Sequence, residues 1–493
     1  MTVVSDYTAI LQINDTTAAR WNATTDLGVP VIVTYSFADG GNVPTVSESS
    51  YFVSSTSAFT ELQRANFRDV ADIYQSTAGI VFVEVEEGGM IDISNANGSS
   101  YGGWASYPWV SEYSTSSGIF VVDSFGDYQE GSYGFQIMLH ELGHAMGLQH
   151  THDGSLTLSS GMDNQYQTVM TYNNTSPYTS VLGLLDVQAL QHLYGAAVDT
   201  SAWDIHYDSY NDTMVIAGSS KADSLLGVAG SNRIIGGSGG DTVIGRDEVD
   251  RLYGGRGNDG LFGGYDADDL FGGGGRDDLF GGSSNDRLKG GGGADHLYGG
   301  LGSDELFGAA GNDRIYGEDY SDDIFGGLGD DSLFGGTGND ELSGQNGKDM
   351  IFGGLGWDSL FGGGGKDKLY GTEEDGSSDS ATRYFYGGGG NDRLFGGAGN
   401  DQFYGGAGKD TITGGSGRDV FYFSEDGGAD RFKDFEDGYD HISLADVDFT
   451  FDDLKFVSKV QGDSTLIKVA GYDVSLFLKD ISVDQLSYYD FYS

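Results

Sequence analysis

A short histidine-rich segment has the composition and spacing of a metal site. His140 and His144 are four residues apart, so on a helix both imidazoles lie on one face and can bind one zinc ion. Gly147 lets that helix end, which allows His150 to return as a third nitrogen ligand. Three protein ligands leave one zinc position open for water, as in catalytic sites. Glu141 is then placed as the general base toward that water, so the pattern predicts hydrolysis of peptide bonds. The alternative is a solvated histidine-rich helix end, which the low chance frequency of the whole pattern disfavours.

A second chemical pattern is a nine-residue repeat that holds its phase over 21 copies, with one interruption at 371–386. Each copy follows the scheme G-G-x-G-x-D-x-U-x, in which U is a large apolar residue. The glycines permit tight turns with exposed carbonyls, and the aspartate adds a carboxylate; calcium prefers both kinds of oxygen. A disordered glycine-rich linker is the alternative, but such linkers do not keep an apolar residue in phase. The aspartates predicted to bind calcium are Asp241, Asp259, Asp277, Asp295, Asp313, Asp331, Asp340, Asp349, Asp358, Asp367, Asp392, Asp401, Asp410 and Asp419.

Two successive copies are predicted to form one coil of turn, strand, turn and strand, with only U pointing inward. Odd and even copies then lie on opposite edges of the coil. The fourth glycine is missing in five copies, of which four are even-numbered. We therefore expect continuous calcium binding on the odd edge from Gly236 to Asp367 and depleted binding on the even edge from Gly245 to Asp322. Pairing intact turns gives about ten calcium ions, with a ceiling of about 17.

The histidine motif and a downstream methionine together resemble the metzincin zinc endopeptidases. The pattern HExxHxxGxxH spans His140–His150, and Thr168-Val-Met170-Thr-Tyr172 matches the Met-turn of that family. The M-x-Y form is similar to that of serralysins and astacins. The resemblance implies that Met170 lies below the single zinc ion, and that Tyr172 ligates zinc and then stabilises the oxyanion. A core methionine and a surface tyrosine are the alternative for these two residues.

Serralysins also join such a protease domain to RTX repeats, the nonapeptides of calcium-loaded parallel β-rolls, and the resemblance covers nearly the whole chain. Leu182–Gly195 resembles the last helix of the catalytic domain, and Asp430–Ile442 resembles the segment after the repeats. The last four residues, Asp490-Phe-Tyr-Ser, resemble a type I secretion signal. The resemblance implies a secreted, extracellular enzyme that uses a type I secretion apparatus. The repeat array is longer than is usual in that family.

The elements that must position these residues follow from hydrophobic periodicity. A helix is predicted to begin at Thr60, because Thr60 and Gln63 fit a capping box and an apolar stripe follows. The zinc-binding helix is predicted over Gly134–Leu148, and another helix near Leu182–Tyr194. The predicted strands of this α/β part are Val31–Phe37, Ile80–Glu86, Met90–Ser94 and Gly118–Asp123.

The composition narrows the function classes further. The chain has 493 residues, 84 glycines, no cysteine and a formal net charge of −50. Disulfide frameworks and cysteine-based zinc sites are therefore impossible, and so acidic a chain is not expected to bind nucleic acid. No apolar run reaches the ~18–20 residues of a membrane-spanning helix. A charge of this size indicates either a halophilic surface or a large load of bound cations.

The predicted fold class is multidomain: an N-terminal α/β metzincin catalytic domain followed by a C-terminal all-β parallel β-roll of RTX nonapeptide repeats. The predicted boundaries are 1–26 for a short propeptide or N-terminal extension, 27–215 for the zinc protease domain, 216–423 for the calcium β-roll, and 424–493 for a cap with the secretion signal.

The predicted function is that of a secreted zinc metalloendopeptidase, a monomer that acts on proteins or peptides and has neither a nucleic-acid partner nor a membrane span. Calcium is predicted to fold the roll outside the cell, because the metal-free repeats are a self-repelling polyanion. Two alternatives stay open. One is a calcium-binding structural or adhesive surface protein with a vestigial protease domain, and the other is a halophile whose acidity serves solvation only.

Overall fold

The fold is taken from a computed structural model. The chain divides into two compact units, Met1–Ile216 with Leu226–Gly230 and Ala217–Leu225 with Ser231–Ser493. The structure describes residues 2–4, 31–37, 55–78, 80–85, 91–97, 103–105, 109–111, 114–116, 118–123, 133–146, 148, 156–158, 170, 182, 186, 189–191, 203–208, 211, 213–228, 230–372, 379–423, 428–444, 451–458, 464–469 and 474–492.

The first unit is built on a mostly parallel sheet whose strands are rich in β-branched residues. Its strand order is β4-β2-β5-β9-β6, with β3 beside β5, and the four strands β4, β2, β5 and β9 are parallel. Two small sheets pair β1 with β10 and β7 with β8. The strands are β1 Thr2–Val4, β2 Val31–Phe37, β3 Ser55–Ser57, β4 Ile80–Glu84, β5 Ile91–Asn97, β6 Gly103–Ala105, β7 Trp109–Ser111, β8 Ser114–Ser116, β9 Gly118–Asp123, β10 Leu156–Leu158, β11 Asp204–Asp208 and β12 Thr213–Ala217.

Helix α1, Glu61–Gln75, confirms the predicted capping box. The Thr60 side chain accepts a hydrogen bond from the Gln63 N–H at 3.3 Å, and the Gln63 side chain accepts one from the Thr60 N–H at 2.9 Å. Two of the orphan N–H groups of the first turn are thereby satisfied. The apolar stripe of α1 is buried through Phe67, Val70 and Tyr74. The helix therefore begins where the sequence predicts and packs with the face that the periodicity selects.

Helix α2, Tyr133–Ala145, contains the histidine motif and lies within the predicted range apart from its first residue. Further along, residues 186 and 189–191 are helical, which falls in the predicted third helix. Among the described residues, no helix combines the length and the apolar content needed to cross a membrane.

The repeats form a two-sheet parallel β-solenoid, as predicted, in which successive strands alternate between the sheets. Strands of one sheet pair in parallel with an offset of two copies, as Leu252 with Leu270 and Leu261 with Leu279 show. The strands are β13 Ser224–Leu226, β14 Asn232–Ser238, β15 Thr242–Arg246, β16 Arg251–Arg256, β17 Gly260–Gly264, β18 Asp269–Gly274, β19 Asp278–Ser283, β20 Arg287–Gly292, β21 His296–Leu301, β22 Glu305–Ala310, β23 Arg314–Asp319, β24 Asp323–Leu328, β25 Ser332–Thr337, β26 Glu341–Gly347, β27 Met350–Leu355, β28 Ser359–Gly365, β29 Lys368–Tyr370, β30 Tyr384–Gly390, β31 Arg393–Ala398, β32 Gln402–Tyr404, β33 Ala407–Gly408, β34 Thr411–Ser416, β35 Val420–Tyr422, β36 Ala429–Phe432 and β37 His441–Ser443.

The core of the solenoid is a stack of apolar side chains, one from each nonapeptide. These U positions, Leu261 and Leu270 among them, are fully buried, because alternate residues of a strand point to opposite faces. The residue after U points outward. On the sheet that contains β17, these outward residues form a column of eight stacked rings with centroids 4.7–5.1 Å apart: Phe262, Phe280, Tyr298, Tyr316, Phe334, Phe352, Tyr370 and Phe395.

The C-terminal end adds an antiparallel extension to one sheet and a single strand to the other. Strand β40 pairs in parallel with β36, β39 pairs antiparallel with both β40 and β38, and β41 pairs in parallel with β37. The elements are a 3₁₀ turn at Phe451–Asp453, β38 Leu454–Ser458, β39 Thr465–Val469, β40 Ser475–Leu478, a 3₁₀ turn at Tyr488–Asp490 and β41 Phe491–Tyr492.

Candidate metal centres

Helix α2 places three of the predicted catalytic-site residues next to one another. His140 and His144 are one turn apart, both are buried, and their ring centroids lie 4.8 Å apart. Glu141, the next residue after His140, is 7% exposed. The spacing in the sequence therefore brings two imidazoles together, and the carboxyl group of the adjacent Glu141 is likewise shielded from solvent.

The orientation of His144 is fixed by a backbone carbonyl that lies just after the end of α2. Its Nδ1 atom lies 2.7 Å from the carbonyl oxygen of Leu148. A carbonyl can only accept, so Nδ1 carries the proton in this contact and the lone pair is left on Nε2. Metal-binding histidines generally donate their other ring N–H in this way, which sets the tautomer and the ring direction. His144 thus has the arrangement of a ligand that binds through Nε2.

Two protein groups, Tyr74 and Met170, pack against α2. The Tyr74 hydroxyl of α1 donates a hydrogen bond to the Leu139 carbonyl at 2.5 Å. Gly143 makes a close approach to both groups, since a Cβ added there would lie 2.7 Å from the Met170 sulfur and 3.0 Å from the Tyr74 hydroxyl oxygen. Met170 is fully buried. The predicted Met-turn residue therefore packs against the glycine between the two histidines, and a side chain at position 143 would compete with it for space.

Burial and nearby acidic side chains disfavour ionisation of the Tyr74 hydroxyl. Burial raises the pKa of the Tyr74 hydroxyl well above its ordinary value, and the charges of Asp186 and Glu141 raise it further. Asp186 is fully buried and belongs to the predicted third helix. The tyrosine therefore stays protonated and remains a hydrogen-bond donor to α2.

Two predicted residues of this centre, His150 and Tyr172, lie outside the described residues. Within the described part of the chain, no group of three metal-binding side chains comes together. Two of the three predicted zinc ligands, His140 and His144, are nevertheless neighbours with the tautomer that zinc requires at His144. The residues present fit a zinc ion, and the zinc-binding role of the three histidines stays a prediction.

The repeat aspartates line two ladders, one on each edge of the solenoid; the first is continuous, and the second is interrupted between Asp358 and Arg383. In each ladder the backbone N–H of one residue donates to the Oδ1 atom of the aspartate in the next coil at 2.7–3.2 Å, except at the step from Asp358 to Arg383, which has no carboxylate. The first ladder consists of Asp223, Asp241, Asp259, Asp277, Asp295, Asp313, Asp331, Asp349, Asp367, Asp392, Asp410 and Asp430. The second ladder consists of Asn232, Asp250, Asp268, Asp286, Asp304, Asp322, Asp340, Asp358, Arg383, Asp401, Asp419 and Asp440.

The other carboxylate oxygen, Oδ2, distinguishes these aspartates from ordinary buried ones. Buried polar atoms are nearly always hydrogen-bonded, because leaving one unpaired is costly. Within the residues that the structure describes, buried Oδ2 atoms without a hydrogen-bond partner nevertheless recur along both ladders. They belong to Asp241, Asp259, Asp277, Asp295, Asp313, Asp331, Asp349, Asp367, Asp392, Asp250, Asp268, Asp286, Asp304, Asp322, Asp401 and Asp419.

Burial without a cation disfavours the charged form of these carboxylates. Burial raises the pKa of Asp250 to about 8 and that of Asp304 to about 6, and backbone hydrogen bonds oppose the shift. Turn carbonyls lie close by, since a Cβ built at Gly236 would be 2.6 Å from both the Asp241 Oδ2 atom and the Gly254 carbonyl oxygen. Rows of carboxylate and carbonyl oxygens suit a hard divalent cation. The ladders therefore fit calcium.

All fourteen aspartates predicted to bind calcium lie in the two ladders and are buried. The sequence prediction does not include five that share their geometry: Asp250, Asp268, Asp286, Asp304 and Asp322. The reason is that some even copies lack the fourth glycine. In three of those copies the replacing residue, Glu248, Ser284 or Tyr320, itself adopts a positive φ of 66–83°. The turn is thus kept, at a steric cost that glycine avoids. Depleted calcium binding on this edge stays a prediction.

Both ladders also extend past the last predicted repeat. The Asp410 N–H donates to the Asp430 Oδ1 atom, and the Asp419 N–H donates to the Asp440 Oδ1 atom, both at 3.0 Å. The two partners are separated in sequence by 20 and 21 positions instead of the usual 18, which hides these rungs from a search at fixed period. The signal that identifies them is the D-x-U triplet, present as Asp430-Arg-Phe432 and Asp440-His-Ile442.

Comparison with known proteins supports both centres. The model of the metallo-peptidase family M12 matches residues 90–181, a range that contains His140, His150 and Tyr172. The model of the RTX calcium-binding nonapeptide repeat matches the ladders in eight ranges, of which the first seven overlap in series: 217–250, 244–279, 271–306, 280–315, 307–342, 316–351, 343–375 and 386–421.

Among curated proteins, the chain is similar to serralysin from Proteus mirabilis, with 27% identity over 234 residues that cover 40% of this chain and 46% of the relative. It is also similar to metallopeptidase AprA from Pseudomonas marginalis, with 27% identity over 227 residues that cover 39% and 46%. The chain thus spans about half the length of the curated relatives it matches.

Among solved structures, the R3 subunit of the mannuronan C5-epimerase AlgE6 from Azotobacter vinelandii aligns with 27% of this chain and 78% of its own, at 26% identity and a TM-score of 0.18. A superposition this loose carries no argument about the fold. The family and curated matches agree with one another and with the two motifs. They confirm the predicted resemblance of this chain to the serralysin-type metallopeptidases with C-terminal RTX repeats.

Proposed function

We propose that the protein is a secreted zinc metalloendopeptidase that hydrolyses peptide bonds in proteins. The observation that carries this proposal is the buried pair of His140 and His144 on α2, with the buried Glu141 next to His140 in the sequence. The match to the M12 metallo-peptidase family over residues 90–181 supports it independently. His150 is proposed as the third ligand, outside the described residues.

The bound zinc ion would polarise the scissile carbonyl and lower the pKa of a water molecule. The chain's own groups do the rest. His144, held by Leu148, directs Nε2 to the metal position. The buried Glu141 carboxylate accepts the proton of the attacking water and delivers it to the leaving amine. Tyr172 is proposed to stabilise the oxyanion, a role that rests on the family resemblance.

The Glu141→Gln variant tests this mechanism. It keeps the size of the side chain and removes its capacity to accept a proton, so casein hydrolysis should fall by about 10²–10⁴-fold, the usual contribution of a general base. Glu61→Gln is the matched control, because the Glu61 side chain on α1 is 88% exposed. This control should keep wild-type activity, and a zinc chelator should abolish hydrolysis in both the wild type and the control.

Hydrolysis that survives Glu141→Gln at the wild-type rate would refute the proposed role of Glu141. A correctly folded wild type that binds zinc but cleaves no protein substrate would instead favour the second candidate, a calcium-binding structural or adhesive surface protein with a vestigial protease domain. The observation in favour of that candidate is the length of the ladders, which extend from residue 223 to residue 440.

For the repeat region we propose a calcium-binding β-roll that folds after export by a type I secretion apparatus. The buried, unpartnered Oδ2 atoms support calcium binding, because without a cation they destabilise the coil. Metal binding then becomes part of the folding free energy. The proposal includes about ten calcium ions, with about 17 as the ceiling, the domain boundaries at 26, 215 and 423, and a monomeric state.

A further inference from the structure

The interruption of the repeat contains an arginine in the position of a ladder aspartate. One coil is longer there than elsewhere, since Ser359 pairs with Tyr384 and Leu360 pairs with Phe385. The Arg383 N–H donates to the Asp401 Oδ1 atom at 3.0 Å, as a ladder aspartate does. The triplet Arg383-Tyr-Phe385 therefore replaces the D-x-U of an ordinary copy.

The guanidinium of Arg383 is surrounded by oxygen atoms. The side chain is fully buried, and its nitrogens donate to carboxylate and carbonyl oxygens. The contacts are Nε to Asp358 Oδ2 at 3.1 Å, Nη2 to Gly354 O at 2.7 Å, Nη2 to Asp379 Oδ1 at 2.6 Å, Nη1 to Ala381 O at 3.3 Å and Nη1 to Ala398 O at 3.4 Å.

This oxygen set is of the kind that binds calcium. Two carboxylates and three carbonyls are hard ligands, and turn carbonyls and ladder carboxylates recur throughout the roll. The Oδ2 atoms of the other ladder aspartates show where a cation would lie. Along both ladders, in the described part of the chain, the Oδ2 atom is typically left without a hydrogen-bond partner, whereas Asp358 Oδ2 accepts from the arginine. A positive charge that belongs to the chain thus sits where the other rungs leave room for a metal ion.

We propose that Arg383 is a built-in cation that takes the place of one calcium ion in the second ladder. It joins the repeats before the interruption to those after it through a contact that needs no metal, and Asp379 of the interruption balances its charge. The inference rests on the proposed calcium binding by the roll. It adds that at one position of the second ladder an arginine replaces the calcium ion.

The first test restores the missing aspartate and counts calcium. Arg383→Asp recreates the ladder residue and vacates the oxygen cage, so the variant should bind one calcium ion more per chain than the wild type. Arg393→Gln is the matched control, since Arg393 is exposed and lies in the next copy; its count should equal that of the wild type. The counts are taken by elemental analysis after dialysis against millimolar calcium chloride, on the full chain.

A count for Arg383→Asp that equals or falls below the wild-type count would overturn the proposal. Calcium-free wild type with a folded roll would instead overturn the proposed calcium-binding function, so the two failures are distinguishable.

The second test removes only the charge. In Arg383→Gln the buried Asp358 loses its partner, so folding of the roll should require more calcium. The midpoint of a calcium titration followed by circular dichroism should rise about twofold, because the loss is shared over some ten cooperatively bound ions. Arg393→Gln should leave the midpoint unchanged. An unchanged midpoint for Arg383→Gln would also overturn the proposal.

Discussion

The two candidate metal centres differ in how much of their structure the protein supplies by itself. On α2, His144 has the Leu148 carbonyl as a partner and the helix is held by Tyr74 and Met170. Along the ladders, buried carboxylate oxygens recur without any hydrogen-bond partner among the described residues. The difference indicates that the described part of the first centre is held in place by packing and hydrogen bonds, whereas the ladders leave carboxylate oxygens that cations would have to satisfy.

The largest effect expected from this comparison is the contrast between removing zinc and removing calcium. Zinc removal should abolish proteolysis and leave the circular dichroism spectrum nearly unchanged, because α2 is held by protein groups. Calcium removal at constant zinc should abolish most of the strand signal of the roll, because the ladder carboxylates then repel one another while buried. Circular dichroism and casein hydrolysis, measured on the same samples, check both halves. Loss of the roll on zinc removal, or its persistence without calcium, would contradict the contrast.

A pH titration of the calcium-free chain sharpens the comparison. Burial raises the folded-state pKa of Asp250 to about 8 and that of Asp304 to about 6, above the ordinary value of about 4. The folded state therefore binds more protons than the unfolded state. This contribution to stability is fully present below about pH 4 and is lost as the pH rises through about 6 to 8. Without calcium, strand signal should be greater at pH 5 than at pH 8, as circular dichroism would show. An equal or smaller signal at pH 5 would contradict this account of the ladders.

The smallest effect concerns packing in the first centre. Gly143→Ala adds a Cβ that would lie 2.7 Å from the Met170 sulfur, so α2 must shift or Met170 must repack. We expect a loss of about 1–3 kcal/mol in the free energy of unfolding of the protease unit, with lower activity. Gly274→Ala in the roll is the matched control, since no atom lies within 4 Å of the added Cβ. Thermal unfolding of both variants checks the prediction, and equal stabilities would mean that the Gly143 contact does not constrain α2.

The parts of the structure that can be predicted from the sequence are those in which a local rule decides the outcome. The capping box at Thr60 and Gln63 fixes the start of α1 by hydrogen bonds between residues three apart. The nine-residue period places the U residues inside the roll and the repeat aspartates on its edges. The histidine spacing on α2 places two imidazoles side by side. Each of these outcomes needs only the periodicity of one element.

The parts that sequence reasoning misses depend on contacts between coils. The aspartate Oδ1 atom accepts a hydrogen bond from a backbone N–H in the preceding coil, so this contact joins two separate turns of the roll. Asp430 and Asp440 continue the ladders at other spacings, and Arg383 enters the second ladder from within the interruption. Glu248 and Tyr320 adopt the positive φ of the glycines they replace. In these cases the packing of neighbouring coils outweighs the local preference of the residue.

The alternation of strands between two sheets has a consequence for how such a roll can change in length. A duplication or deletion of two copies keeps every later strand in its own sheet, so the column from Phe262 to Phe395 gains or loses one ring. A change of one copy exchanges the two sheets for the whole downstream part, and each later aspartate moves to the opposite edge. The assignment of each strand to its sheet is therefore kept only when the roll changes in length by an even number of copies. The extra residues before Arg383 keep this assignment, because they belong to a single coil and Tyr384 still pairs with Ser359 in the same sheet.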